Sequence, residues 1–215
     1  MTIESDFLII GSGIAGLSFA LKVAEHGSVA LVTKKAMMDS NTNLAQGGIA
    51  SVLSPLDSFD LHIRDTLAAG DGLCNPDVVE IVVTQGPERI RELIALGVSF
   101  NLKATPDTAS NAETFDLGQE GGHSRKRIVH AQDMTGRAVE QVLVECARNH
   151  SRITLFEDHI AIDLITCSTR MKRGLVTTTH EDFCCVAYVL NRRTNQIDTF
   201  KSKITLLAAG GAGKV

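Results

Sequence analysis

The chain has few of the features that mark membrane, secreted or nucleic-acid-binding proteins. No apolar run approaches the ~20 residues that a helix needs to cross a bilayer. Basic residues are not in excess, and the formal net charge of -4 argues against nucleic acid as a partner. The first apolar run follows Glu4 and Asp6 and leads into a glycine turn rather than a cleavage site, so it is not a signal peptide. Internal repeats and low-complexity segments are also absent, which excludes a repeat array.

Cysteine is sparse and lacks the spacing of metal or redox sites. The five cysteines include no C-x-x-C pair, and their odd number does not suit a full set of disulfides. We therefore expect free thiols in a reducing compartment, which favours a cytoplasmic protein, and we expect no metal site.

The strongest pattern lies in the first 34 residues. Residues 7–10 and 29–32 are short apolar runs typical of buried strands, and residues 17–24 have the apolar spacing of a helix. A glycine motif joins the first strand to this helix and consists of Gly11, Ser12, Gly13, Ile14, Ala15 and Gly16. This order predicts the first βαβ unit of a dinucleotide-binding fold, with a pyrophosphate at the helix N-terminus.

The second strand lacks the acidic residue that usually binds the ribose hydroxyls of a dinucleotide. Thr33, Lys34 and Lys35 follow the strand instead. The two lysines could meet the ribose phosphate of NADP, or a hydroxyl and the backbone could bind the ribose. The glycine motif alone therefore leaves FAD, NAD and NADP open.

Two later loops contain candidate site residues. The first has glycines that would let the backbone approach a flat ring, and it comprises Asn41, Thr42, Asn43, Leu44, Ala45, Gln46, Gly47 and Gly48. In the second loop, Glu120 could accept a hydrogen bond from an ammonium group and His123 could titrate near neutrality. Arg125 and Arg127 could bind carboxylates. The alternatives are a glycine-ended surface loop and a solvated basic face.

The rest of the chain predicts an α/β fold with a parallel central sheet and a small antiparallel β excursion. We expect helices at 60–69, at 75–96 with an interruption at Gly86-Pro87, and within 130–150; a loop at 101–112; and strands at 153–156, 159–165, 175–189, 197–201 and 204–209. The last strand ends in a glycine turn, so a βα unit is begun and left unfinished. We therefore expect the N-terminal part of a longer polypeptide.

Together these motifs resemble the FAD-binding part of the succinate dehydrogenase/fumarate reductase flavoprotein family. The most specific matching pieces are residues 11–16, Thr42 with residues 45–48, residues 120–124 with Arg127 and Ile128, and residues 208–211. Within that family, the Glu-Gly-Gly-His-Ser stretch that starts at Glu120, followed by residues 128–131 and 135–137, is most similar to the L-aspartate oxidases. The resemblance implies a Rossmann-like FAD-binding domain over residues 1–215, without the family's capping domain and C-terminal helical domain.

The resemblance also implies roles for individual residues. Residues 12–15 would contact the FAD pyrophosphate, and Lys34 would lie near the adenosine ribose, so this lysine no longer favours NADP. Residues 41–48 would line the isoalloxazine and the pyrophosphate. Respiratory members have a histidine covalently linked to FAD where this chain has Asn41, so the FAD would be non-covalent. Glu120 would face the ammonium group of the substrate.

The implied reaction is oxidation of L-aspartate to iminoaspartate by hydride transfer to flavin, the first step of de novo NAD biosynthesis. Oxygen or fumarate would accept the electrons, and iminoaspartate could pass to quinolinate synthase. The catalytic proton carrier would lie beyond Val215, so we expect no catalytic residue in the chain and no activity from it alone. The alternatives are a fumarate- or succinate-handling flavoprotein, a non-catalytic FAD-fold fragment, and an NAD(P)-binding Rossmann protein, which the Gln46-Gly47-Gly48 loop disfavours.

Overall fold

The computed structural model describes residues 1–103, 115–131, 134–167 and 183–211. The chain divides into two compact units: Met1–Asn43 with Leu143–Val215, and Leu44–Val142. The strands are β1 (Thr2–Ile10), β2 (Val29–Val32), β3 (Ile49–Ala50), β4 (Leu117–Gly118), β5 (Ile128–Val129), β6 (Ile153–Phe156), β7 (His159–Thr166), β8 (Cys184–Asn191) and β9 (Gln196–Leu207); the helices are α1 (Ile14–Val23), α2 (Phe59–Ala69), α3 (Pro76–Ala95) and α4 (Thr135–Asn149).

The first unit is built on a mixed sheet, whose described strands lie in the order β6-β2-β1-β9-β8-β7. The pairs β6–β2, β2–β1 and β1–β9 are parallel, whereas β9–β8 and β8–β7 are antiparallel. The predicted parallel centre with an antiparallel excursion is therefore confirmed, and the excursion extends the same sheet.

The βαβ unit forms as the sequence predicts, because each of its elements buries an apolar face. All four residues of β2 are buried, as is the last part of β1. On α1, Leu17 and Ala20 are fully buried. The helix contacts both strands, so burial of its apolar stripe holds it against the sheet.

The terminal strands are longer than their apolar runs suggest. The predicted strands at 197–201 and 204–209 are one strand, β9, and β1 begins at Thr2 rather than at residue 7. The reason is pairing, since β1 and β9 align from Thr2 opposite Thr199 to Ile10 opposite Leu207. Ladder hydrogen bonds thus carry the polar residues of both segments into the sheet.

The predicted interruption of the third helix at Gly86-Pro87 is wrong, because α3 is continuous from Pro76 to Ala95. Proline in a helix interior costs about 3 kcal/mol. Here Pro87 lies on the buried stripe of α3, which consists of Val79, Val83, Pro87, Ile90 and Leu93. The stripe continues on both sides of the proline, so we attribute the continuity to burial, which outweighs the lost hydrogen bond.

The ends of α3 follow the sequence signals. The side chain of Asn75 accepts hydrogen bonds from the amides of Asp77 and Val78, as expected of an N-terminal cap. The helix ends just before Gly97, whose φ of +111° suits glycine. The second unit also contains α2, which packs on α3, and a small antiparallel sheet in the order β3-β5-β4.

Some predictions fall wholly or partly outside the described residues. They are most of the loop at 101–112 and the first part of the strand at 175–189. Four cysteine side chains are described, and none of the four forms a disulfide: Cys74, Cys146, Cys167 and Cys184. No described helix is long and apolar enough to span a membrane.

Candidate functional site

In the first unit, the glycine motif forms a tight turn between β1 and α1. Gly11 has a φ of +117°, and a side chain there would overlap the backbone carbonyl of Ala208, the residue after β9. A side chain at Gly16 would overlap the carbonyl of Gly11. Both glycines are therefore required by the packing of strand, turn and helix, as the sequence predicts.

The N-terminus of α1 has the features of an anion site. Gly13 lacks a side chain at its start, and an added Cβ would lie 3.3 Å from the hydroxyl oxygen of Thr42. The Ile14 amide donates to that hydroxyl at 3.0 Å. The next two amides, of Ala15 and Gly16, have no acceptor among the described residues. Free N–H groups at the positive end of a helix fit a phosphate, so this end suits the FAD diphosphate.

Ser12 is positioned differently from its neighbours in the motif. Its side chain is buried, and its hydroxyl donates to the carbonyl of Met37 at 2.9 Å and is hydrogen-bonded to the hydroxyl of Thr33 at 3.1 Å. The side chain thus ties the glycine turn to the end of β2. A contact between Ser12 and the pyrophosphate stays a prediction, and it would have to use the backbone.

Two other predicted residues of the first unit, Lys34 and Asn41, are exposed. The side chain of Lys34 is exposed, and its carbonyl accepts from the guanidinium of Arg192 at 3.2 Å. The side-chain amide nitrogen of Asn41, Nδ2, lies 3.8 Å from the position that a Cβ on Gly210 would occupy. The side-chain oxygen of Asn43 is buried and has no partner among the described residues, so this part of the predicted flavin loop has an acceptor available.

In the second unit, the end of the same loop meets the Glu120 segment. Leu44, Ala45, Gln46 and Gly47 are exposed. A Cβ on Gly47 would lie 3.5 Å from carboxylate oxygen Oε1 of Glu120. The structure therefore brings together two predicted site residues that are far apart in sequence.

Gly48 has a structural reason to be glycine. A Cβ there would overlap the carbonyl of Val129 and a methyl group of Ile128, both in β5. The next residue, Ile49, pairs with Val129. The second glycine of the pair therefore lets β3 pack on β5, whereas sequence reasoning assigned both glycines to a ring.

Glu120 lies at the start of a turn between β4 and β5. The amide of His123 donates to the carbonyl of Glu120 at 3.2 Å, and the side-chain amide of Gln119 donates to the carbonyl of His123 at 2.7 Å. Gly122 has a φ of +84°, which a residue with a side chain rarely adopts. The carboxylate of Glu120 is exposed and has no hydrogen-bond partner in the described part of the chain.

Arg127 does bind carboxylates, but they belong to the protein. Its guanidinium is fully buried and makes two hydrogen bonds of 2.8 Å to Asp57, with a third of 2.7 Å to Asp65. Sequence reasoning missed both aspartates, which precede Arg127 by 70 and 62 residues. The basic run around Arg127 gave no sign that one of its members is buried.

The ion pairs shift the pKa values of the groups around Arg127. Burial opposes ionisation of Asp57, but hydrogen bonds from Arg127 and the Ser58 amide outweigh it and lower the pKa of this carboxyl. Hydrogen bonds from the Ser124 amide and hydroxyl lower the pKa of Asp65, and Arg127 adds to the effect. Burial and the nearby Arg127 charge lower the pKa of His62, so its buried ring is held neutral.

Comparison with known proteins identifies relatives across nearly the whole chain. Residues 6–215 match the family described as FAD binding domain. The chloroplastic L-aspartate oxidase of Arabidopsis thaliana is 49% identical over 210 residues, which are 98% of this chain and 30% of that protein. The L-aspartate oxidase of Pseudomonas aeruginosa is 42% identical over 212 residues, 99% of this chain and 38% of the relative. The chain thus spans about a third of the length of these relatives.

Solved structures agree with this assignment. FrdA of E. coli quinol fumarate reductase matches with a TM-score of 0.83 at 27% identity, over 99% of this chain and 34% of that chain. Sdh1 of Mycobacterium smegmatis, in complex with UQ1, matches with a TM-score of 0.80 at 25% identity, over 99% and 35% of the two chains. Because the family match covers residues 6–215, the chain belongs to the FAD binding domain family, with FAD as its cofactor, and its predicted resemblance to the L-aspartate oxidases is confirmed.

Proposed function

We propose that this chain is the FAD-binding portion of an enzyme that oxidises L-aspartate to iminoaspartate. The observation that supports it most directly is the position of Glu120, whose unpaired carboxylate lies beside Gly47 of the predicted flavin loop. An exposed carboxylate beside a flavin loop suits a substrate with an ammonium group. The similarity to relatives named L-aspartate oxidase supports the same substrate.

The residues of the chain would bind and orient the reactants. When bound, FAD supplies the chemistry, because it can accept a hydride from the substrate α-carbon. The free amides of Ala15 and Gly16 would hold its diphosphate. Glu120 would accept a charge-assisted hydrogen bond from the substrate ammonium and so orient the α C–H bond. The imine forms when that bond loses its electron pair and the nitrogen loses a proton, whose carrier we place outside these 215 residues.

Further parts of the proposal follow from the resemblance. FAD would be bound non-covalently because Asn41 offers no ring nitrogen for a covalent link, and Lys34 would lie near the adenosine ribose. Oxygen or fumarate would accept the electrons, and the product would feed NAD biosynthesis by passing to quinolinate synthase. A cytoplasmic location would suit the described cysteines, none of which forms a disulfide. The chain alone would bind FAD without turnover.

A fumarate- or succinate-handling flavoprotein is the second candidate. The likeness to FrdA of E. coli quinol fumarate reductase favours it. Two residues disfavour it: Asn41 replaces the flavin-linking histidine of the respiratory members, and Glu120 would place a negative charge near a dianionic substrate that has no ammonium group.

Turnover by the full-length gene product separates the two candidates. L-aspartate should be oxidised and succinate should act only as an inhibitor. Glu120→Gln should lower kcat/KM for L-aspartate by about 10- to 100-fold, the effect of losing a hydrogen bond to a charged group. Glu80→Gln, at an exposed carboxylate on α3, is the matched control and should leave kcat/KM unchanged. Preferential oxidation of succinate would favour the second candidate, and an unaltered kcat/KM in Glu120→Gln would remove Glu120 from the substrate site.

A further inference from the structure

The Glu120 turn, which comprises residues 119–124, is closed at its base and held at its far end. Its base is a hydrogen bond of 3.0 Å from the Arg127 amide to the carbonyl of Gly118, where β4 and β5 pair. Its far end is Ser124, which makes no hydrogen bond back to Glu120. The backbone within the turn is short and glycine-rich, so its conformation depends on what holds Ser124.

Asp65 of α2 holds that end of the turn. One of its carboxylate oxygens, Oδ2, accepts three hydrogen bonds: from the Ser124 amide at 2.8 Å, from the Ser124 hydroxyl at 2.7 Å and from Arg127 at 2.7 Å. The remaining guanidinium donors of Arg127 bind Asp57, just before α2 begins. Asp65 on α2 therefore holds both Ser124, at the end of the Glu120 turn, and Arg127, which directly precedes β5.

A ring contact strengthens the same connection. His62 lies one turn before Asp65 on α2, and its buried ring is 5.7 Å from the ring of His123, centroid to centroid. The turn is thus attached to α2 at two successive residues, by the His123 ring and by the Ser124 amide and hydroxyl. Glu120 itself makes no such contact, so its place beside Gly47 is set by the residues that follow it.

We propose that Asp65 is a positioning residue for the substrate site: by holding Ser124 and Arg127, it keeps the carboxylate of Glu120 beside Gly47 and so sets the affinity for the substrate ammonium. This inference rests on the proposed function of Glu120. A preorganised carboxylate binds more tightly than a mobile one because the cost of ordering it is met during folding. Asp65 would act through the turn and would not touch the substrate.

The test uses Ser124→Ala and Asp65→Asn in the full-length gene product. Ser124 is exposed, so its truncation removes one hydrogen bond and leaves the buried Arg127–Asp57 pair in place. Each variant should raise KM for L-aspartate by about threefold to tenfold and change kcat much less. This pattern is expected when an interaction that stabilises bound substrate and transition state equally is lost. The inhibition constant of succinate, which has the carboxylates but no ammonium, should stay unchanged. Amide hydrogen exchange of residues 119–124 should accelerate in Asp65→Asn.

Four comparisons decide the outcome. Ser58→Ala removes the hydroxyl that accepts a hydrogen bond from the Leu61 amide at the start of α2, so it loosens the same helix without touching the turn. An equal rise in KM in this variant would show a general loosening of α2 and would overturn the proposal. Adding Ser124→Ala to Glu120→Ala should raise KM no further, and an additive rise would overturn it too. If Glu120→Ala alone leaves KM unchanged, the ammonium role falls together with this inference. If only the Asp65 and Ser124 variants leave KM unchanged, the positioning role alone falls.

Discussion

Gly47 and Gly48 are neighbours in sequence, yet a side chain at each would meet different surroundings. A Cβ at Gly48 would overlap β5, whereas one at Gly47 would make an ordinary contact with Glu120. The first glycine is therefore free to serve a ligand, and the second is needed for folding. This distinction depends on the packing of β3, which the pattern of two glycines does not reveal.

The same substitution at the two glycines should give different results. Gly48→Ala should lower the free energy of unfolding by about 1–3 kcal/mol, since it overpacks the contact with Val129 and Ile128. Gly47→Ala, the matched control, should change it by less than about 0.5 kcal/mol because the site is exposed. Urea unfolding followed by circular dichroism measures both, and equal losses would contradict the structural role of Gly48.

At the scale of elements, the ion pairs that join α2 to β5 make stability depend on pH. Asp57 and Asp65 have lowered pKa values in the folded protein, so folding favours their ionised forms. Their contribution is present above the unfolded pKa of about 3.9 and is lost as pH falls below it. Arg127 stays charged throughout, because the hydrogen bonds to both aspartates outweigh its burial and raise its pKa.

A comparison of wild type with Asp57→Asn checks this dependence. At pH 7 the substitution should cost about 3–5 kcal/mol of unfolding free energy, since it leaves the buried Arg127 charge only partly paired. The difference should narrow as the pH is lowered through 4 to 3, because Asp57 of the unfolded wild-type chain then binds protons more readily than Asp57 of the folded protein, which favours unfolding. Urea titrations across this range measure it, and a difference that stays constant down to about pH 3 would show that Asp57 is not the titrating group.

The elements that sequence predicts well are those set by local patterns. The βαβ unit, the caps of α3 and the β8–β9 hairpin each depend on residues close together in the chain. The two failures have distant causes: α3 passes through Pro87 because its buried stripe packs on both sides, and β1 extends to Thr2 because β9 pairs with it. Arg127 was expected to bind carboxylates, but its partners could not be predicted from spacing, since they lie on another element.

At the scale of the whole molecule, the family shows that FAD is the cofactor, and the mode of its attachment is a prediction. Asn41 stands where a covalent link would need a histidine, so only non-covalent contacts of the folded protein should hold the flavin. Protein purified with bound FAD should release all of it to the supernatant on acid precipitation, as measured by flavin absorbance. A respiratory flavoprotein with covalent FAD is the control, and flavin in the precipitate of this protein would contradict the prediction.

The pairing of β1 with β9 has a consequence for biosynthesis. β1 can form its full ladder only with a partner that is synthesised nearly 200 residues later, from Thr199 to Leu207. Until then, one edge of β1 is open, and its apolar residues are available to other nascent chains. The dinucleotide-binding motif is therefore translated well before the strand that completes its sheet.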